Sequence, residues 1–165
     1  MLLTVFLAMA FCAGITIMLI SAVAFIQDNR FFFSAPKEAQ EVIKPRNEEL
    51  FYGARTMGWI LMILSVLITS GALAVGVWDG FKNGFSFKEF FIRFILILTI
   101  YKLYDMIFFD WFVLCRFHFF QYYYPEIENV FRDRKYGFNI KSQLLKLLII
   151  FPAVSALGAW ICTLH

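Results

Sequence analysis

Two carboxylates, Asp105 and Asp110, stand in a run from Tyr101 to His118 that is otherwise almost entirely apolar and aromatic. An ionised side chain at bilayer depth is expensive. It therefore turns toward other helices or a polar cavity, and commonly serves an ion, proton or substrate pathway. Lys102 precedes Asp105 by three residues, a spacing at which helical side chains meet. Asp105, Asp110 and Lys102 are thus the candidates for an ion or proton pathway. The competing reading is internal neutralisation, with Lys102 pairing Asp105 and a base from another helix pairing Asp110. On a regular α-helix each residue advances about 100°, so Asp105 and Asp110 are expected about 140° apart, on different aspects.

A second chemistry would use His118, which follows in the same run, with Asp110 and Glu126 as the carboxylates. A histidine base oriented by an acid suits attack on a lipid or isoprenoid at a membrane surface. Asp110, His118 and Glu126 are the catalytic candidates on that reading. Arg116, Arg132, Arg134 and Lys135 are candidates for headgroup or phosphate contact. No H-x-x-H, H-E-x-x-H or D-x-D occurs, so no metal site is expected, and nothing in the sequence assigns a cofactor. Gly-rich phosphate loops and nucleophile elbows are absent as well. Cys12, Cys115 and Cys162 are far apart and form no C-x-x-C, which fits buried apolar thiols better than a disulfide or redox pair.

The elements that would position these groups belong to a membrane protein. Apolar residues make up 61% of the 165-residue chain and charged residues 16%, whereas soluble domains sit nearer half and a quarter. The 22 Phe and an aromatic content of 20% suit lipid contact and interfacial belts. The partners this implies are the lipid bilayer and either a homo-oligomer or a larger membrane complex. A net charge of +3 set by two loops is no argument for nucleic acid.

The hydrophobic pattern predicts an all-α integral membrane protein, one polytopic domain of four transmembrane helices in a small bundle. The helices are expected at about 1–26, 58–77, 90–114 and 144–164. The first run is too long for a signal-peptide core and lacks a basic start, so it reads as a retained helix. The third is overlong. Nothing between Phe85 and Tyr124 is Gly or Pro, and a single helix of that length would rise about 60 Å against a core of about 30 Å. Either residues 90–114 span, with Lys102 and Asp105 near mid-membrane, or residues 105–124 lie in the interface. Pro152 predicts a kink in the last helix. Asn47 is expected to cap the second helix with Glu48 and Glu49 in its first turn, and residues 78–87 to form a tight turn. Ala35, Ala39, Val42 and Ile43 would line a short helix resting on the membrane. Small residues four apart, Ala10 and Gly14, Ala72 and Gly76, Ser155 and Ala159, predict close helix contacts.

Bases set the expected orientation. Arg30, Lys37, Lys44, Arg46 and Arg55 lie in or beside loop 27–56. Arg116, Arg132, Arg134, Lys135, Lys141 and Lys146 lie in or beside loop 121–142. The connection between them has only Lys82, Lys88 and Arg93. The positive-inside rule then places both loops in the cytoplasm and both termini outside, in a multi-pass protein of the cell membrane.

Three functions follow from these residues. Small size and the lack of a catalytic motif favour a non-enzymatic accessory, regulatory or assembly subunit. Asp105 and Asp110 suit an ion- or proton-coupled transporter or channel subunit. Asp110, His118 and Glu126 suit a membrane-embedded enzyme acting on a lipid or isoprenoid at the cytoplasmic face. The helix count is similar to that of small multidrug exporters and of membrane glutathione transferases. The exporters' pattern wants a Glu in the first helix, and the transferases' an Arg-x-x-x-His element; neither stands in this chain.

Overall fold

The computed structural model describes residues 2–32, 37–44, 46, 48–132 and 140–164. Regular structure among the described residues is helical throughout. The elements are α1 (Leu2–Ile26), α2 (Lys37–Val42), α3 (Ala54–Lys82) and α4 (Phe87–Tyr104). Helix α4 continues directly into π-helical turns at Asp105–Arg116. Short helices α5 (Phe119–Tyr123) and α6 (Glu128–Phe131) follow, then α7 (Lys141–Thr163).

Helices α1, α3 and α7, at 25, 29 and 23 residues, are long and apolar enough to cross a membrane. The run Phe87–Arg116 matches them in length but not in apolarity, because Arg93, Lys102, Asp105 and Asp110 lie inside it. That run is unbroken to Arg116. It ends at His118, which adopts a left-handed conformation (φ 52°) and turns the chain into α5. The overlong helix of the sequence reading is thus one helix and a break.

Helix α1 packs on both α3 and α4, and α7 packs chiefly on α4. Small residues permit the first contact. A Cβ on Gly14 would stand 2.6 Å from Thr69 Cγ2, and one on Gly58 would stand 2.8 Å from Phe25 Cβ. Gly76 in turn meets Leu7, so α1 and α3 run antiparallel over their whole length. The Ser21 hydroxyl donates to Gly58 O at 2.7 Å beside the same contact. Leu7, Ala8, Ala72 and Ile97 form the buried core where α1, α3 and α4 meet. On α7, Ser155 and Ala159 are buried, and Gly158 meets the Phe94 ring of α4.

The connections differ from expectation in three places. Residues 78–82 continue α3, and only Asn83 and Gly84 (φ 63°) turn the chain. Helix α4 then starts with a capping box, in which Ser86 N–H donates to Glu89 Oε2 at 2.8 Å. Glu48 and Glu49 precede α3 instead of opening it. The Glu49 carboxylate accepts the N–H of Gly53, which is left-handed (φ 85°) and immediately precedes the helix. Finally, part of the apolar face expected of α2 packs on protein, while Val42 stays exposed. Ala39 and Ile43 are buried against Leu114, Tyr124, Ile127 and Phe131, so the first loop packs onto the third. Asn47, Ala35, Arg134 and Lys135 lie outside the described residues, as do both terminal residues. Ahead of Pro152, α7 has π-helical turns at Lys146–Ile150. Proline supplies no N–H to the preceding turn, so the hydrogen-bond ladder must shift there.

The α1–α3 contact has a direct test. Gly14→Leu should destabilise the fold by about 1–3 kcal/mol, the usual cost of forcing atoms into a filled interface. A Cβ on Gly71 meets nothing within 4 Å, so Gly71→Leu should leave the thermal unfolding midpoint in detergent unchanged or higher. Equal losses in both variants would contradict this packing.

Candidate functional site

Lys102 is 4% exposed and Arg93 5%. An ammonium and a guanidinium buried among apolar helices require counter-charges nearby. Arg93 finds one across the α3–α4 turn, with Asp79 Oδ2 at 2.8 Å. Its guanidinium also donates to Gly76 O at 2.6 Å and stands 4.3 Å from the centre of the Phe85 ring. Asp79 belongs to the stretch expected to be a turn, and extending α3 by a turn is what brings it to Arg93. Lys102 bonds Asp105 within its own helix.

Asp110 has a different partner. Gln143 on α7 donates its amide to Asp110 Oδ2 at 3.3 Å. The amide oxygen of Gln143 is buried and accepts no hydrogen bond among the described residues. Asp105, Lys102 and Lys146 all stand near enough to Asp110 to act on its charge, and both aspartates act on Tyr101. The π-helical turns explain why two residues expected on different aspects share one neighbourhood. A π-helix closes its hydrogen bonds from i to i+5, so a residue five positions on lies about one turn further along nearly the same side. Asp105 to Asp110 is such a step. The result is a polar patch of Lys102, Asp105 and Asp110 on α4 and its continuation, joined to α7 by Gln143, while Tyr101 packs edge-on against Phe11 of α1.

The other candidates have separate surroundings. Glu126 ties the two loops together: its Oε2 accepts from Arg46 at 2.8 Å, and its Oε1 accepts from Lys44 N–H at 3.1 Å. The same guanidinium donates to Tyr123 O at 3.3 Å and lies 5.4 Å from the centre of the Tyr124 ring. Arg55 donates to Arg46 O at 3.2 Å. Burial pushes the Tyr124 phenol up to about 12, so it stays neutral beneath this network. His118 is exposed at the helix break, and Arg116 and Arg132 are exposed. No hydrogen bond joins any two of Asp110, His118 and Glu126 among the described residues. No three His, Cys, Asp or Glu side chains converge there as metal ligands do.

Sequence reasoning missed Arg93–Asp79, Arg46–Glu126 and Gln143. Each depends on a contact between segments far apart in the chain or on a helix boundary. Only the Ser86-x-x-Glu89 capping box, which fixes where α4 begins, was a local signal. No protein-family model matches this chain, and neither a curated protein nor a solved structure is significantly similar to it.

The ion pair makes a prediction about energetics. Asp105→Ala removes the one carboxylate bonded directly to the buried Lys102 ammonium among the described residues and should cost about 3–5 kcal/mol of stability. Adding Lys102→Met removes the stranded charge and should restore most of that loss in thermal unfolding. If the double variant is as unstable as Asp105→Ala, Lys102 does not depend on Asp105.

Proposed function

We propose that the chain is a multi-pass membrane protein of four crossing helices, α4 and its continuation being the fourth, and that it acts as a non-enzymatic accessory or assembly subunit. One observation carries this reading: the cations buried in α4 are neutralised by the chain's own side chains, Arg93 by Asp79 and Lys102 by Asp105. Charges spent on holding helices together are not held in reserve for a substrate. The engagement of Glu126 by Arg46 points the same way. Helix α7 has only 11% of its apolar window buried inside the chain. Its remaining surface is available to lipid or to helices of another subunit. The test is purification from native membranes in mild detergent, with the particle mass measured directly. A complex larger than one chain is expected, and a homogeneous single chain would overturn the assignment.

The orientation in this proposal has loops 27–56 and 121–142 in the cytoplasm, following the excess of bases there. With Cys12, Cys115 and Cys162 replaced by Ala, a cysteine at Tyr52 should react with an impermeant maleimide only after the membrane is opened. A cysteine at Asn83 should react in intact cells. The reverse pattern would invert the topology.

A second reading is favoured by Asp110 alone. Its hydrogen-bond partner is a neutral amide instead of a base, beside a buried carbonyl oxygen of Gln143 that accepts no hydrogen bond among the described residues. An ion- or proton-coupled subunit would use that pair. Asp110→Asn should then abolish ion-dependent flux in vesicles while leaving the fold intact. Unchanged flux would leave the accessory reading standing by itself.

A further inference from the structure

A groove of about 180 Å³ runs between α1 and the π-helical turns. One wall is Thr16, Leu19 and Ile20 of α1. The other is a ladder of stacked rings: Phe108 on Phe112 at 5.8 Å and Phe112 on Phe117 at 6.1 Å between centres. The one side-chain polar atom of the α1 wall, the Thr16 hydroxyl, is taken up by hydrogen bonds to Cys12 O and the Tyr104 hydroxyl. What remains is a hydrocarbon surface, and water gains no hydrogen bond in it.

On α1 the lining runs from Thr16 to Ile20, four residues that rise about 6 Å, enough for part of an acyl chain. The lining is completed by Phe117 and Phe119. Between those rings stands His118, one of two non-glycine residues with positive φ among the described residues, and Arg116 precedes Phe117. Both His118 and Arg116 are exposed. A left-handed histidine is a strained conformation, retained where the surroundings demand it. Here Phe117 and Phe119, on either side of it, both line the groove. An apolar slot whose lining rings Phe117 and Phe119 flank an exposed histidine, with an exposed arginine next in the chain, complements a molecule with a hydrocarbon tail and an anionic head.

We infer that this groove is a phospholipid site, with part of one acyl chain lying between α1 and the ring ladder and the lipid phosphate held by Arg116 and His118. The inference rests on the reading that these helices cross a bilayer, and the two can fail separately. The occupant is a bilayer phospholipid with a net negative head, because Arg116 supplies a full charge and headgroup attraction grows with each such base.

The experiment reconstitutes the full chain in phosphatidylcholine vesicles with spin-labelled phosphatidylglycerol or spin-labelled phosphatidylcholine, and reads the motionally restricted fraction by electron paramagnetic resonance. The wild type should restrict the phosphatidylglycerol label about fivefold more than the phosphatidylcholine label. Arg116→Gln with His118→Gln should abolish that preference. Ile20→Trp, at a residue 39% exposed, should fill the slot and remove the site-specific component for both lipids, whereas Ile20→Ala should retain it. A restricted fraction that is unchanged in the Gln and Trp variants overturns the site. Release of the protein from the vesicles by alkaline carbonate would instead overturn the membrane-crossing reading beneath it.

Discussion

Arg93 and Lys102 put two cations inside helix contacts made of Leu, Ile, Phe and small residues, where a lone charge cannot stay. The desolvation cost of each ion exceeds what an apolar helix gains by burying its neighbours, so each needs a counter-charge in contact. The fold follows from how these are supplied. Arg93 is met by Asp79, which requires α3 to run on past its apolar stretch to Lys82. That places the α3–α4 turn at Asn83 and Gly84. Gly80 then lies under the Phe90 ring, where a Cβ would be only 2.2 Å from the nearest ring atom. Lys102 is met by Asp105 at the point where α-helical turns give way to π-helical ones.

The π-helical turns fall in a pattern. They occur at Ser21–Ile26, Asp105–Arg116 and Lys146–Ile150. In helices that alternate in direction, all three lie at the end where the first and third loops pack together. Wider turns re-aim side chains that an α-helix would separate, and such turns concentrate at functional sites. Here they bring Asp105 and Asp110 into one neighbourhood and line up Phe108, Phe112 and Phe117 along one wall. The opposite end of the molecule is regular α-helix, closed by a tight turn and a capping box. One end of the protein is thus conventional helix packing, and the polar patch, the ring ladder and the docked loops all belong to the other.

Much of this was legible in the sequence, for local reasons. Uncharged runs announce α1, α3 and α7 because length and apolarity are properties of a single segment. The three-residue spacing of Lys102 and Asp105 announces their pairing, and small residues four apart mark the helix contacts at Gly14 and Ser155. Trp78-Asp-Gly-Phe-Lys reads as a turn because Asp and Gly are turn residues. It is helical because a distant arginine holds the aspartate and a phenylalanine occupies the space the glycine leaves. The shared side of Asp105 and Asp110 was illegible because it depends on helix pitch, which no periodicity argument supplies. Gln143 and the Arg46–Glu126 tie were illegible because each joins segments brought together only by the completed fold.

The central claim is that the charged run from Phe87 to Arg116 crosses the bilayer beside α1 and α7 with its charges turned inward. Spin labels at Leu103, Ile107 and Trp111 test it most directly, since these residues are 49%, 61% and 41% exposed and stand four apart on the outer side. In vesicles, their relaxation should be dominated by oxygen, which partitions into hydrocarbon, and hardly touched by a water-soluble nickel chelate. Strong relaxation by the chelate at all three positions would contradict the account, because it would place this helix in water.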